Sequence, residues 1–353
     1  MADYQGSARA MELALRGDSL SGQYHVGLGR AYVALNLLPA ARVAFENALR
    51  LDTNTAVARL ELLRVLCTMK TFGDAKRLLS ERATFDELMV MGKGLLGAGK
   101  AWEALEYAKR AVSMDSTNVS SRVLLADTYF ALQQYDDAFA LYVYLMMESQ
   151  NSAHVARKLA LCYEKRGQRS IPVAILKMQK YMRLTGDTTA ADLARLGTWF
   201  YARQQYDSSA NYYALAVARD STSAELHFNY GLALFRLGNL HDAEREMRVA
   251  ERLSAPTLSF QSTLAKTIAA VLLQRKATGG AIRYYQKALR IDPSNADALY
   301  GLAVSYDTPG KRALAIRWYR KYLDTVPDDH RDGELVERVQ DRLKELGRTG
   351  TNR

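Results

Sequence analysis

A unit of about 34 residues recurs nine times along the chain and limits the folds that are open to it. Each unit aligns on one small or apolar anchor residue, and successive anchors are 34, 29, 34, 34, 37, 34, 38 and 34 residues apart. The anchors are Gly29, Leu63, Gly92, Ala126, Ala160, Gly197, Gly231, Ala269 and Ala303. Self-similarity at such a period is typical of arrays in which each unit buries its apolar surface against its neighbours.

Two further columns of residues follow the anchors at fixed distances. Three residues after each anchor, the side chain is large and apolar in every unit. Twelve residues after the anchor, or fourteen in the fifth unit, a small residue recurs: Ala41, Ala75, Ala104, Ala138, Ala174, Ser209, Ala243, Ala281 and Ala315. Small residues at these spacings predict two antiparallel helices in close contact, with the large column beside them. We therefore predict an all-α array of helix pairs.

The clearest copies combine the small anchor, an aromatic residue one turn later and the alanine. One reads Leu28-Gly29-x-x-Tyr32 with Ala41 and Phe45, and another reads Leu302-Ala303-x-x-Tyr306 with Ala315, Tyr319 and Pro327. In this pattern the chain resembles the tetratricopeptide repeat family from about Ser21 to Asp329. The resemblance implies a right-handed α-solenoid whose first helices line a concave face. The family's usual Trp is missing, and the proline after the second helix remains only as Pro293 and Pro327.

Three places break the period. The second unit is short, which predicts a second helix from Asp74 to about Ala83 and a clipped turn before Phe85. The fifth unit carries an insert at residues 169–172 between its helices, and residues 254–260 separate the seventh and eighth units. Such inserts change the curvature of a solenoid locally, and their prolines, Pro172 and Pro256, are the best candidates for this effect.

The ends of the chain are expected to differ from the repeats. Residues 1–20 are predicted to form an N-terminal half-repeat, in which Asp3 to Arg16 align with the second helix of a unit. This half-repeat is either a cap or what remains of a removed repeat. Residues 21–330 hold the nine repeats. Residues 331–353 are predicted to form a capping helix, Glu334 to Leu346, and a loose tail.

Composition narrows the class of protein further. With 353 residues, 48% of them hydrophobic, the chain is not a disordered one. No stretch approaches the roughly 18 to 20 apolar residues of a membrane span. Two cellular compartments are compatible with the sequence: the cytoplasm and, if an upstream signal was removed, the periplasm. Cys67 and Cys162 fall in helical runs and are predicted to be buried free thiols.

No motif in the sequence favours catalysis. The run from Gly94 to Lys100 satisfies the GxxxxGK phosphate-loop pattern, but Ala101 stands where that loop needs Ser or Thr. It also falls between the two helices of the third unit, so we interpret it as a turn. The histidines lack metal-binding spacing, and His25 and His227 occupy the family's Trp position and are expected to pack. We expect no cofactor, no metal and no catalytic residues.

The candidate binding residues lie on the first helices. Arg30, Arg64, Lys93 and Asp127 directly follow their anchors, and Arg157, Lys158 and Arg195 lie two or three residues before theirs. On a concave face these cations would attract an acidic segment, because Arg binds carboxylates with two hydrogen bonds. The alternative is that they are ordinary solvated helix residues.

Two further residue sets occupy possible binding positions. Tyr212, Tyr284 and Trp318 lie just before the second-helix column and suit either inter-repeat packing or a partner surface. Asn229 and Lys266 occupy positions of the family's carboxylate clamp, but the Lys and Asn are not paired on one helix, which argues against that ligand.

The predicted function is a non-catalytic scaffold that binds an extended or helical segment of another protein in its groove. A formal net charge of +10 favours an acidic partner. Two alternatives remain, an accessory subunit of a cell-envelope or enzyme assembly, and a nucleic-acid-binding helical repeat protein. The chain is expected to be a monomer or to self-associate weakly through its N-terminal half-repeat.

Overall fold

The chain folds into α-helices joined by turns in a computed structural model that describes residues 3–52, 56–79, 83–148, 152–186, 188–253, 257–325 and 333–348. The helices gather into two compact units, Met1–Thr185 and Gly186–Arg353. The predicted all-α class is confirmed.

The first unit has eleven α-helices in its described residues, and they pack in chain order. They are α1 (Tyr4–Gly17), α2 (Gly22–Ala34), α3 (Leu38–Leu51), α4 (Ala56–Thr68), α5 (Phe72–Leu78), α6 (Phe85–Gly97), α7 (Ala101–Met114), α8 (Val119–Ala131), α9 (Tyr135–Glu148), α10 (Ala153–Lys165) and α11 (Ile171–Thr185).

The second unit has nine α-helices in its described residues. They are α12 (Ala190–Ala202), α13 (Tyr206–Arg219), α14 (Ala224–Arg236), α15 (Leu240–Leu253), α16 (Leu258–Gln274), α17 (Thr278–Ile291), α18 (Ala296–Tyr306), α19 (Arg312–Thr325) and α20 (Gly333–Arg348).

The two helices of each repeat meet at the small residues that define the sequence pattern. Anchors lie on the even-numbered first helices α2 to α18, and all nine residues of the alanine column are fully buried. Ser209, the one exception to alanine, donates a hydrogen bond from its hydroxyl to the Gly197 carbonyl at 2.8 Å, so its polar atom is satisfied. The predicted close approach of paired helices is confirmed.

Glycine at an anchor is required by the side chain that faces it. A Cβ atom added to Gly29 would lie 2.6 Å from Cε1 of Phe45. A Cβ atom on Gly231 would lie 2.8 Å from Cγ of Met247. The large residue four positions after the alanine therefore fills the space that the missing side chain leaves.

A left-handed residue follows the first helix of every repeat, seven positions after the anchor. The nine residues with positive φ at this position are Asn36, Lys70, Gly99, Gln133, Gly167, Gln204, Gly238, Lys276 and Gly310. This conformation closes the C-terminus of a helix and turns the chain back toward the second helix. It recurs with the same spacing as the anchors, so the turn belongs to the repeat.

The irregular places differ in part from their predicted form. Helix α5 ends at Leu78 rather than near Ala83, which is buried outside a helix. Residues 168–170 form a 3₁₀ turn that runs directly into α11, so Pro172 lies in the first turn of that helix rather than between helices. Proline is tolerated there because the first helical N–H groups lack intrahelical acceptors.

The later insert also becomes helical where it is described. Thr257 caps α16 by accepting a hydrogen bond from the Phe260 amide, and this helix reaches 17 residues. The insert therefore extends a first helix by about one turn. Residues 254–256, which include Pro256, lie outside the described residues, as do Pro327 and the tail at 349–353.

The helices at the two ends pack on their neighbours. On α1, Ala8 is buried with Leu28, and the Glu12 carboxylate accepts a hydrogen bond from the Tyr32 hydroxyl at 2.6 Å. The predicted C-terminal helix is present as α20, where Val339 and Leu346 join the last buried cluster. How these ends divide from the repeats as domains stays a prediction.

Both cysteines are buried free thiols, as predicted. Burial raises the pKa of Cys67 and of Cys162 to about 11. Each thiol therefore remains protonated and unreactive at neutral pH.

The left-handed turn predicts opposite effects for the same substitution at two adjacent glutamines. Gln204 has φ of 60°, whereas Gln205 has φ of −87°. Gln204→Gly should raise the free energy of unfolding by about 0.5 to 1 kcal/mol, because glycine removes the Cβ strain of the left-handed conformation. Gln205→Gly should lower it by a similar amount, because only the unfolded chain gains freedom. Urea unfolding of both variants measures the two free energies of unfolding. Equal effects of the two substitutions would contradict a left-handed conformation at Gln204 alone.

Candidate functional site

The first two repeats form a groove between their first helices, α2 and α4. The groove has a volume of about 520 Å³. Val26 and Val57 give it apolar walls, Gln23, Arg30 and Asp52 give it polar groups, and Gly22 and Gly27 complete the lining. Arg30 is 58% exposed at this site, so its guanidinium is accessible to a ligand.

A carboxylate lies between the first two predicted cations. On α4, Oε1 of Glu61 lies 3.4 Å from Nη2 of Arg30 on α2. Its other oxygen, Oε2, lies 3.8 Å from Nη1 of Arg64 on the same helix. Its side chain is only 20% exposed, whereas those of Arg30 and Arg64 are 58% and 56% exposed. These three residues therefore form a triad with one surplus positive charge whose cations face solvent.

A second ion pair joins α4 to α6. The Arg59 guanidinium binds the Glu87 carboxylate, which is 2% exposed. The other oxygen of Glu87 accepts a hydrogen bond from the Thr84 amide at 2.8 Å, completing a capping box at the start of α6. Glu87 thus holds two first helices together and also closes a helix terminus.

A second groove lies between α6 and α8. It has a volume of about 390 Å³. Lys93 and Asp127 provide its charges, and the remaining lining residues are Leu96, Gly97, Val119, Ser120, Val123 and Leu124. Lys93 is exposed and forms no ion pair within the described part of the chain. Of the predicted cations, it is the one most available to a partner.

Asp127 is the acidic member of the predicted set and is surrounded by donors. Its carboxylate accepts a hydrogen bond from the Tyr142 hydroxyl at 2.5 Å and lies 2.9 and 3.0 Å from Nε2 of His154. Nζ of Lys158 lies 3.6 Å away. Burial raises the pKa of Asp127, but the hydrogen bonds from His154 and Tyr142 outweigh this effect and hold its pKa below the ordinary value.

The remaining predicted cations are less exposed. Arg157 is half-buried, with its guanidinium 6.0 Å from the centre of the Tyr181 ring, and Lys158 lies 4.4 Å from the centre of the Phe130 ring. Arg195 is half-buried on α12, which belongs to the second unit. The structure therefore brings Arg30 and Arg64 together around Glu61 and places Lys93 and Asp127 in the second groove. Lys158 contacts Asp127 from α10 but does not line that groove.

The later aromatic residues pack within the array. Tyr212 stacks on Phe200 with ring centres 5.3 Å apart, and Trp318 lies against the core of the second unit. The Tyr284 hydroxyl accepts a hydrogen bond from Arg248 at 3.0 Å and donates one to Glu251 at 2.8 Å. These contacts favour the packing interpretation.

Two interpretations of motif residues are confirmed. Helix α6 ends at Gly97, Gly99 has φ of 76° and α7 begins at Ala101, so the phosphate-loop-like run is an inter-helix turn. His227 is buried, with Nδ1 2.7 Å from the Glu246 carboxylate and Nε2 3.2 Å from the Ser221 carbonyl. Its packing was predicted, but its contact with the Glu246 carboxylate was not.

Glu61 and Glu87 belong to the candidate site and are not among the residues predicted from the sequence. Glu61 lies two residues before its anchor, in the same column as Lys158 and Arg195. Examining that whole column for both signs of charge would have found it. Glu87 carries a different signal, the Thr84-x-x-Glu87 capping box.

Two further observations concern the described residues alone. None of the helices described has the length and apolar character needed to cross a bilayer. In the same ranges, no group of three or more His, Cys, Asp and Glu side chains is arranged to hold a metal ion.

Sequential helix pairs with a grooved, charged first-helix surface define an α-helical repeat protein. Models of the tetratricopeptide repeat match residues 95–162 and 195–256, and a TPR repeat model matches residues 270–307. The chain is a tetratricopeptide repeat protein. Members of this family are generally non-catalytic and typically mediate protein–protein interactions.

Comparison with curated proteins found no match. Among solved structures, the chain is similar to yeast Tom70 at 11% identity, covering 99% of this chain and 93% of that one, with a TM-score of 0.43. It is also similar to YrrB, described as a TPR protein with an unusual peptide-binding site, at 18% identity, covering 51% and 94% of the two chains, with a TM-score of 0.40.

A third similar structure is the C-terminal part of a TPR repeat-containing protein from Cytophaga hutchinsonii. The identity is 20%, the coverage is 57% of this chain and 77% of that one, and the TM-score is 0.48. At these identities the likenesses concern the fold alone.

The donors around Asp127 predict a stability difference that depends on pH. Asp127→Asn should lower the free energy of unfolding at pH 7 by about 1 to 3 kcal/mol, because charge-assisted hydrogen bonds are lost in a mostly buried place. A carboxylate with a lowered folded pKa stabilises the protein above its unfolded pKa, and this stabilisation is lost as the pH falls through the folded value.

The difference between wild type and Asp127→Asn should therefore shrink below about pH 4. Urea unfolding of both proteins at pH 7, 5 and 3 measures it. A difference that stays constant over this range would show that the carboxylate's ionisation does not contribute.

Proposed function

We propose that this chain is a non-catalytic scaffold that binds an extended, acidic segment of another protein along its first helices. The observation that carries the proposal is the pair of open grooves between successive first helices, with an exposed cation at each, Arg30 at the first and Lys93 at the second. An extended segment presents side chains and backbone groups along such a surface at regular intervals.

The exposure of the charges supports an acidic partner. Arg30 and Arg64 reach solvent while Glu61 lies below them, so an approaching segment meets the guanidinium groups first. Glu61 also orients both groups, which reduces the side-chain entropy that binding would cost. A guanidinium held in this way can bind a ligand carboxylate with two parallel hydrogen bonds.

The carboxylates on the same surface favour a peptide over a nucleic acid. A phosphate backbone carries a negative charge at every nucleotide and needs a continuous run of cations. Here Asp52, Glu61 and Asp127 alternate with the cations. Acidic side chains at chosen positions of a peptide can avoid these carboxylates, whereas a regular polyanion cannot.

Charge reversal on the first helices tests this placement. The triple variant Arg30→Glu, Arg64→Glu, Lys93→Glu should weaken binding of fluorescein-labelled acidic peptides by about tenfold or more, because each change replaces an attraction with a repulsion. Fluorescence anisotropy gives the dissociation constants, and circular dichroism verifies helicity.

The matched control reverses three exposed cations on the second helices of the same repeats, Arg50, Arg77 and Lys109. It changes the net charge equally and should affect binding only slightly. Equal losses in both triple variants would mean that net charge alone attracts the peptides and would overturn the placement on the first helices.

A further inference from the structure

The grooves at α2/α4 and α6/α8 share several chemical features although they lie in different repeats. Each contains apolar residues, one cation and one carboxylate, with Arg30 and Asp52 in the first and Lys93 and Asp127 in the second. Each also has a strongly exposed valine at the beginning of its second wall. Val57 is 47% exposed and Val119 is 45% exposed. Covering an exposed valine with an apolar group of a ligand removes apolar surface from water and so stabilises the complex.

The interface between α4 and α6, which lies between these two grooves, is filled by side chains of the protein itself. At α4/α6, the Arg59–Glu87 pair occupies the interface, and the Glu87 carboxylate is almost completely buried. Met89 of α6 and Leu62 of α4 are buried in the same cluster. The first-helix surface of the first unit therefore alternates between an open groove, a filled interface and a second open groove.

The cations of the two grooves remain available for a ligand. Arg30 is more than half exposed. Lys93 is exposed and is not ion-paired among the described residues. In contrast, the carboxylate of Asp127 already accepts a hydrogen bond from Tyr142, contacts Nε2 of His154 and lies 3.6 Å from Nζ of Lys158. Each groove can thus hold an apolar side chain of a ligand, and the groove's cation can pair with a neighbouring carboxylate of the same ligand.

Repeat geometry sets the distance between the two grooves. Packed helices lie about 8 to 10 Å apart, so two steps along the first helices correspond to about 16 to 20 Å. An extended chain advances about 3.3 Å per residue and covers this distance in about five or six residues.

From the matching grooves we infer that the first unit reads two apolar–acidic anchors of one extended segment, spaced about six residues apart. The inference rests on the proposed function and specifies its partner. One anchor lies on Val57 with its carboxylate at Arg30, and the other lies on Val119 with its carboxylate at Lys93. The residues between the anchors cross the filled α4/α6 interface and contribute little selectivity.

Peptides with variable spacing test the inference directly. The probes are synthetic acidic peptides with two Leu-Asp pairs placed roughly three to nine residues apart. Affinity for the full chain, measured by fluorescence anisotropy, should peak near a spacing of six and fall about tenfold at the extremes, where only one anchor binds. Peptides with a single Leu-Asp pair should bind as weakly as those at the extremes.

Groove variants identify where the anchors bind. Val57→Asp and Val119→Asp should each weaken the best peptide by about tenfold and abolish its dependence on spacing, because one anchor site is lost. Val43→Asp is the matched control. Val43 is 55% exposed on the second helix α3 and lines neither groove, so this variant should bind like the wild type.

The outcomes separate this inference from the proposed function. If the first-helix charge reversals weaken binding but affinity does not vary with spacing, the inference of two spaced anchors is wrong. The proposed binding surface on the first helices is then retained. If Val57→Asp and Val119→Asp behave like Val43→Asp, the grooves are not the anchor sites. If none of the peptides binds the wild type, the inference is overturned.

Discussion

The contact between a small anchor and the alanine column is the constraint on which the fold depends. Where the anchor is glycine, the paired helices leave no room for a larger side chain at this point, as the space around Gly29 and Gly231 shows. All nine residues of the alanine column are fully buried, so the second helix packs closely at this position in every repeat. Because such a contact is local in sequence, each repeat can form it without long-range pairing.

The same constraint leaves the exposed faces of the first helices free to vary. A residue directly after an anchor can be Arg30, Lys93 or Asp127 without disturbing the frame, although Asp127 also accepts a hydrogen bond from Tyr142 on the paired helix α9. Function can therefore change from repeat to repeat while the packing columns stay constant. In the first unit this freedom is used for charges, which meet across neighbouring first helices at Glu61 and Asp127.

Features that recur in every repeat could be predicted from the sequence, whereas contacts that occur in one repeat only could not. The columns, the pairing of helices and the turn at Gly99 follow from the period, because a residue at a fixed offset meets the same environment in every unit. The ion pairs made by Glu61 and Glu87 do not follow from it, since they depend on rotamers and on the distance between two particular helices. The early end of α5 was missed for a related reason, because a shortened period shows that residues are absent but does not show which helix lost them.

The irregular second repeat connects the frame to the site. Helix α5 has only 7 residues where the other second helices have 14 or 15, and the next first helix follows after a shortened interval. At this step Glu87 uses one oxygen for Arg59 on α4 and the other for the capping box of α6. Because the Glu87 side chain is only 2% exposed, a ligand has no access to this carboxylate. The shortened repeat therefore fills the interface between two open grooves, and the departure from the period gives the surface its discontinuous pattern.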